Sequence, residues 1–190
     1  QTSVRMSAAQ LYELVFDGNN KWMLSANGTL FTYEYEAIIP GLLKRWYEER
    51  QEMQRKMREC GDNEIEREYW DKRQLVKKIN LNSLYGAILN PGCRFFDIRI
   101  GQSVTLTGRC ITKHMASKVN EVVTGKYDHK GESIVYGDTD SVYFSAFKTL
   151  QKEIKEGVIP WTKDSVVALY DKIADEVNSS FKSFMTRAFH

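Results

Sequence analysis

The stretch Ser133-Ile-Val-Tyr-Gly-Asp-Thr-Asp-Ser-Val-Tyr-Phe144 constrains the fold more than any other part of the chain. Ile134, Val135 and Tyr136 lead in, and Val142, Tyr143 and Phe144 lead out. β-Branched and aromatic residues suit the pleated surface of a strand. Gly137 permits a bend, and Asp and Ser supply turn chemistry between the two runs. The pattern predicts a β-hairpin with Asp138-Thr139-Asp140 at its tip. Residues two apart on an extended chain point to the same side, so both carboxylates are expected to face one point. A turn alone accounts for one Asp. Two Asp flanking a Thr, with apolar strands behind them, suit a metal held on a rigid support.

The rest of the chain supplies a core for such a hairpin to rest on. Its 190 residues are 42% hydrophobic and 12% aromatic, enough for one ordinary domain or two small pieces of a larger one. The 27 basic and 25 acidic residues leave a net charge of +2, so any surface for nucleic acid has to come from local clustering. Cys60, Cys93 and Cys110 have no metal-ligand spacing, and their odd number argues against a disulfide framework. Reduced thiols in a cytosolic setting are expected. No run approaches the roughly 18 apolar residues of a membrane span, and no signal peptide opens the chain.

Hydrophobic periodicity organises the remainder. The first forty residues read as short strand-like pieces and turns: Asn19-Asn20, then Ala26-Asn27-Gly28 before Leu30-Phe31-Thr32-Tyr33. From Gly41, the residues Leu42, Leu43, Trp46, Tyr47, Met53 and Met57 recur at helical spacing. Gly61-Asp62-Asn63 breaks that run, and a second helix is expected over about 64–88. Two long helices joined by so short a loop lie antiparallel. Asn90-Pro91-Gly92 ends the pair, and 94–98 reads as a short strand. A helix over about 102–123 follows, with Val104, Ile111, Met115, Val119 and Val122 as its stripe. A final helix is expected over about 163–188, capped by Thr162, with Val166, Leu169, Ile173, Val177, Phe181 and Phe184 facing the core.

Within the second helix, Lys78, Asn82 and Tyr85 fall at i, i+4 and i+7, so one face presents a cation, an amide and a phenol. The wet side of an amphipathic helix has the same spacing. The Tyr85-Gly86 ending tells against that plainer account, because an aromatic followed at once by Gly suits close approach by another backbone or a ligand.

Lys78-Ile-Asn-Leu-Asn82-Ser83-Leu84-Tyr85-Gly86 resembles the KxxxNSxYG motif of family B DNA polymerases, and Tyr136-Gly137-Asp138-Thr139-Asp140-Ser141 is that family's YGDTDS motif letter for letter. Their order and separation also fit. The surrounding text is similar to the replicative polymerases of tailed bacteriophages at Ser25-Ala-Asn-Gly28, Ile39-Pro40, Arg50 and Arg94-Phe-Phe-Asp-Ile-Arg99. The resemblance implies an α+β fold. Residues 38–90 become the fingers, a helical hairpin that closes over an incoming nucleotide. Residues 1–37 become a palm-side segment leading into them, and 91–190 a palm segment carrying the YGDTDS hairpin.

It also implies roles. Arg50 and Lys78 bind the triphosphate, the one as a planar fork and the other as a point charge. Asn82, Ser83, Tyr85 and Gly86 line the nascent base-pair pocket, with the Tyr85 hydroxyl able to donate to the minor-groove acceptors of a correct pair. Gln54 stands where the phage enzymes carry another basic residue, for which Arg55 or Lys56 is a substitute. Asp140, and less directly Asp138, hold two magnesium ions, replaceable by manganese, for an in-line displacement by the primer 3′-hydroxyl. The implied partners are primer-template DNA, a deoxynucleoside triphosphate, the polymerase segments not present here and a sliding clamp. The implied location is the cytoplasm of an infected bacterial host.

The family also uses an Asp in a DxxSLYPS motif before the fingers, which Asp17-Gly-Asn-Asn does not match. The exonuclease domain, the KxY motif and the thumb are likewise absent from these residues. The chain is therefore expected to be the middle of a polymerase, a fragment or one product of a split enzyme, and inactive alone. Two other classes compete. A metal-dependent phosphohydrolase leaves Lys78 to Tyr85 unexplained and expects more than the scattered His114, His129 and His190, which read as surface or core histidines. A DNA-binding or assembly subunit without catalysis lacks only the catalytic partner. A calcium loop of the EF-hand type needs a Gly and a distal Glu that are not there.

Overall fold

The computed structural model describes residues 5–16 and 21–189. Asp17-Gly-Asn-Asn and His190 lie outside the described residues. The fold is α+β and mostly helical, with two small antiparallel hairpins. Its elements are α1 (Ala8–Phe16), β1 (Trp22–Leu24), β2 (Leu30–Thr32), α2 (Ile38–Glu59), α3 (Glu64–Ile88), α4 (Ile98–Thr124), β3 (Ile134–Asp138), β4 (Ser141–Phe144), α5 (Phe147–Lys155) and α6 (Lys163–Phe189). They fall into two compact units. One comprises residues up to Phe31 and from Ser103 onward; the other is Thr32–Gln102. No helix of the described residues is long and apolar enough to cross a membrane.

The Thr32–Gln102 unit is built on α2 packed against α3. Pro40 sits in the first turn of α2, where its missing N–H costs nothing. Gly61, at φ +54, turns the chain, and Asn63 caps α3 by accepting the Glu66 N–H at 3.2 Å. The seam between the helices is half-wet: no residue of α2 is fully buried, and in α3 only Ile88 is. Leu42, Leu43, Trp46, Met53 and Met57 are half-buried as the periodicity predicts, whereas Tyr47 is exposed. Paired polar groups complete the seam. Lys77 bonds Glu49 and stands over the Trp46 ring, and Lys56 stands 4.7 Å over Trp70.

Residues 94–98 are not a strand. The chain reverses through backbone bonds Cys93 N to Asn90 O and Phe96 N to Cys93 O, and no second strand pairs with it. Asp97 then caps α4, its Oδ1 accepting the Arg99 N–H at 2.9 Å. The Arg99 guanidinium on the same carboxyl holds Asp97 down to about pKa 2. This cap starts α4 four residues earlier than its apolar pattern suggests. Gly101 lies so close to Leu89 that a Cβ there would stand 1.9 Å from Leu89 Cδ2.

In the other unit the core is Val119 of α4, Ala146, and Ile173 and Val177 of α6, with Met115, Val122, Ile134, Phe144, Leu169 and Phe181 packed around them. The α6 stripe is as expected, and Thr162 accepts the Ser165 N–H. The α4 stripe holds at Ile111, Met115, Val119 and Val122 but not at Val104, which is 55% exposed, and Ser103, His114, Ser117 and Asn120 are buried beside it. Ser103, His114 and Asn120 are hydrogen-bonded by other parts of the unit, which periodicity of apolar residues cannot register. Ser103 accepts from Ser25 and donates to Asn27 at 2.9 Å, seating the β1–β2 turn on α4. His114 meets the Tyr127 hydroxyl at 2.8 Å and the Ser180 hydroxyl at 3.0 Å and stacks on Phe184, so it is a core histidine. His129 is a half-exposed surface residue.

Two helices have no counterpart in the apolar pattern. α1 begins with a reciprocal cap: Ser7 Oγ accepts the Gln10 N–H at 3.2 Å, and Gln10 Oε1 accepts the Ser7 N–H at 2.8 Å. α5 is a short amphipathic helix beside the core.

Candidate functional site

The β3–β4 hairpin forms as its residues dictate, with Asp138 opposite Ser141, so Thr139 and Asp140 are its two-residue loop. Such a loop calls for positive φ at its first position. Thr139 has φ +22, which no other described non-glycine residue shares in sign. A β-branched residue there is unusual, and strain of this kind persists where surrounding structure holds it, often at functional sites. Asp138 ends the strand and Asp140 follows the turn, so simple strand alternation does not describe how the two carboxylates are presented. Both are exposed, and neither forms an ion pair among the described residues. The Thr139 hydroxyl donates to Asp138 Oδ1 at 2.9 Å.

α4 splints this hairpin. At the hairpin's root, buried Asn120 accepts from the Ser133 hydroxyl at 2.7 Å and donates to the Lys126 carbonyl at 2.8 Å. At its tip, Thr112 Oγ1 donates to the Thr139 carbonyl at 2.7 Å. Thr112, buried Ala116 and Asn120 are spaced i, i+4, i+8 along one face, a rise of about 12 Å at ~1.5 Å per residue. That is about the length of the strand lying beside it at ~3.3 Å per residue. Gly131 completes the root, since a Cβ there would stand 2.0 Å from the Asn120 side chain.

Two exposed carboxylates without cationic partners are hard oxygen donors of the kind that fit magnesium. They form a partial set: no group of three His, Cys, Asp or Glu able to hold a metal occurs among the described residues. A metal held here would need further oxygens from outside these two side chains.

The second group of residues lies on the α2–α3 hairpin. Lys78 and Asn82 are exposed, as are Ser83 and Gly86. A Cβ at Gly86 would meet nothing within 4 Å, so the surface beside it is open. Arg50 joins this face from α2: its Nε donates to Gln74 Oε1 at 3.1 Å, and Gln74 lies one turn before Lys78. Gln74, Lys78 and Asn82 thus form one ladder of α3, and Arg50 meets it from α2 at Gln74. Tyr85 is half-buried, and its hydroxyl donates to the Gly101 carbonyl at 3.1 Å. Its single hydrogen is thus already engaged by backbone, which differs from the expectation of a free minor-groove donor.

Several other cations nearby are held by glutamates, whereas Arg73 donates to the Tyr69 hydroxyl and lies over its ring, and Arg58 and Arg67 form no ion pair among the described residues. Lys44 bonds Glu36, Arg45 bonds Glu49, Lys72 bonds Glu68, Arg55 bonds Glu52 and Glu59, and Lys56 bonds Glu52. Glu52 and Glu59 raise the Arg55 pKa still further above its ordinary value. Arg55 and Lys56, the substitutes considered for a basic residue at Gln54, are both in exposed ion pairs with glutamates in this structure. Lys78 and Arg50 have no carboxylate partner among the described residues. Sequence reasoning missed Gln74, Thr112 and Asn120. Gln74 was detectable by extending the Lys78–Asn82 ladder one turn toward the N-terminus; Thr112 and Asn120 depend on how the hairpin lies on α4.

Similarity to known proteins agrees with these motifs. The chain is 40% identical over 80 residues to the DNA-directed DNA polymerase of Escherichia phage RB69, covering 42% of this chain and 9% of that protein. It is 28% identical over 162 residues to DNA polymerase 1 of Pyrococcus abyssi (strain GE5 / Orsay), covering 85% and 19%. It is 30% identical over 159 residues to the DNA polymerase of Pyrococcus glycovorans, covering 84% and 19%. The chain thus spans less than a fifth of the length of these relatives. The family model described as DNA polymerase family B matches residues 3–185, which takes in both motif groups and the α4 helix between them, and the chain belongs to that family.

Proposed function

We propose that this chain is part of a template-directed DNA polymerase that adds deoxynucleotides to a primer 3′-hydroxyl. The observation that carries the reading is the meeting of Arg50 from α2 with Gln74, one turn before Lys78 on the ladder that continues to Asn82, with neither cation held by a carboxylate among the described residues. Unneutralised cations on a rigid helix pair suit a triphosphate. Asn82, Ser83, Tyr85 and the open surface at Gly86 line the nascent base pair. Residues 38–90 serve as fingers, 91–190 as a palm segment, and 1–37 lead into the fingers.

Asp138 and Asp140 would hold the divalent cations, magnesium or manganese, with Asp140 as the stronger ligand. Such ions, when bound, polarise phosphoryl oxygens and lower the pKa of a bound hydroxyl. Thr139 orients Asp138, and Thr112 holds the turn that carries both carboxylates. The remaining acidic ligand, the exonuclease and the thumb come from other polymerase segments, and a sliding clamp and primer-template DNA are the further partners. The setting is the cytoplasm of an infected bacterium.

Steady-state primer extension by the full-length polymerase carrying this segment tests the reading. Lys78→Ala and Arg50→Ala each raise the nucleotide KM, since a charge-assisted phosphate contact of roughly 1.5–3 kcal/mol corresponds to about 10–150-fold. Asp140→Asn lowers turnover by about a hundredfold or more while primer-template binding survives. The 190-residue chain alone extends no primer. Loss of DNA binding with unchanged nucleotide dependence would favour a non-catalytic DNA-binding subunit instead.

A further inference from the structure

We propose that Gln74 is a positioning residue for nucleotide binding, aiming the Arg50 guanidinium while leaving its charge unneutralised. The inference rests on Arg50 as a triphosphate ligand. Gln74 Oε1 takes the Arg50 Nε hydrogen at 3.1 Å, and Gln74 Nε2 donates to Asp71 Oδ1 at 2.9 Å. The second bond fixes which way the amide faces, so its oxygen, not its nitrogen, meets the arginine. Engaging Nε leaves the two terminal nitrogens, with four N–H donors, for a bidentate contact with phosphate oxygens. Both Arg50 and Gln74 are half-buried, which limits the other arrangements open to them.

The neutrality of the amide is the point. Near Gln74 in α3, the cross-helix pair Lys77–Glu49 uses a carboxylate, and Glu49 also takes Arg45. Glu49 offsets one of these two positive charges, and its bond to Lys77 ties α2 to α3. At Arg50 the partner supplies direction without charge, and the Asp71 carboxylate is kept one residue removed, on the far side of the amide. Gln74 also lies one turn before Lys78, so the bond brings Arg50 beside the other proposed triphosphate ligand.

Four quantities decide it in the full-length polymerase: nucleotide KM, kcat, primer-template Kd and thermal midpoint, for Gln74→Ala, Gln74→Glu and Arg50→Ala. Gln74→Ala is expected to raise nucleotide KM about 3–10-fold, because the guanidinium keeps its charge but loses the acceptor that aims it, with primer-template Kd unchanged. Gln74→Glu keeps an acceptor for Arg50 and forms an ion pair but exchanges the bond to Asp71 for a carboxylate repulsion, so the thermal midpoint serves to verify that this variant folds. Its nucleotide KM nevertheless rises by more than that of Gln74→Ala, because a carboxylate now stands where the triphosphate approaches. A merely structural Gln74 predicts the opposite order, with the glutamate variant nearer wild type, and that order overturns the inference. Should Gln74→Ala fail to fold, Gln74→Met keeps the length without the acceptor and takes its place. Arg50→Ala with unchanged nucleotide KM overturns the triphosphate reading itself. An impaired Arg50→Ala beside Gln74 variants with wild-type KM overturns only the role of Gln74.

Discussion

Thr112→Val isolates the contact between α4 and the carboxylate turn. Valine matches threonine in shape and branching, so helix preference and packing change little. What is lost is the hydroxyl donor to the Thr139 carbonyl at 2.7 Å. The same hydroxyl also approaches the Gly108 carbonyl one turn back at 3.1 Å, and both acceptors keep other options: the Gly108 carbonyl retains its helix bond, and the Thr139 carbonyl, in an exposed turn, returns to water. The cost therefore falls in the lower half of the range for a neutral hydrogen bond, about 0.5–1 kcal/mol. If that free energy goes into opening the turn, amides of residues 139–141 exchange roughly 2–5-fold faster. Amide hydrogen exchange of the metal-free full-length protein reads this directly, with peptides from α3 as an internal reference. Thr112→Ser, which keeps the donor, returns exchange toward wild type. Unchanged exchange at the turn in Thr112→Val would show that α4 does not hold the hairpin tip, and the argument for a splinted carboxylate turn would fail.

Two glycines of α4 should respond oppositely to alanine. At Gly101 an added Cβ meets Leu89 Cδ2 at 1.9 Å and Cγ at 2.7 Å, so the whole side chain must move; overpacking of about 1–3 kcal/mol outweighs a helix gain of about 1 kcal/mol, and the denaturation midpoint falls. At Gly108 nothing lies within 4 Å, and Gly108→Ala raises the midpoint; equal shifts in urea titrations would refute the packing argument. His114 has its pKa lowered, first by burial and then by the nearby Lys118 charge. The unfolded chain thus binds the extra proton below about pH 6.5, so stability is full above that value and declines as pH falls toward the folded pKa. Urea midpoints at pH 7.5 and 5 should show this decline, flattened in His114→Gln, and an unaltered pH slope in that variant would remove His114 as its source. Tyr85→Ala should raise misincorporation more than it slows correct insertion, and Tyr85→Phe, which keeps the ring, should do so less. Single-turnover insertion of right and wrong nucleotides measures both, and an unchanged ratio in the alanine variant retires the pocket role.

The parts of the fold legible in sequence are those where one residue pattern has one physical meaning. Two runs of strand-forming residues around Gly137-Asp138 leave little besides a hairpin, and α3 runs over Glu64–Ile88 where the helical pattern after the Gly61-Asp62-Asn63 break places it. Reading failed where polar groups decide. α1 is announced by the Ser7–Gln10 capping pair and not by an apolar stripe, and Phe95-Phe96 looks like strand although Asp97 ends the segment as a cap. Buried Ser103, Ser117 and Asn120 give α4 a polar inner face that hydrophobic periodicity assigns to solvent. At the candidate site, the carboxylates and the Lys78 ladder lie close together in sequence and were visible. Gln74 and Arg50 are 24 residues apart, and their meeting depends on the register of two helices.

The half-wet seam of the α2–α3 hairpin also bears on how such a chain can change length. Because no shared core ties the tip to the root, each level of the seam is closed by its own local pair, such as Trp46 with Lys77, Arg50 with Gln74 or Lys56 with Trp70. Among the described residues, the hydrogen bonds of the loop at Cys60–Asn63 stay within it and the two helices it joins. Matched insertions of whole helical turns beyond Lys56 and before Trp70 would add further levels without disturbing Arg50, Gln74 or Lys78. The hairpin is in this sense an extensible arm: its outer reach is open to insertion, deletion and grafting, while the face near its root that carries the two unneutralised cations is fixed.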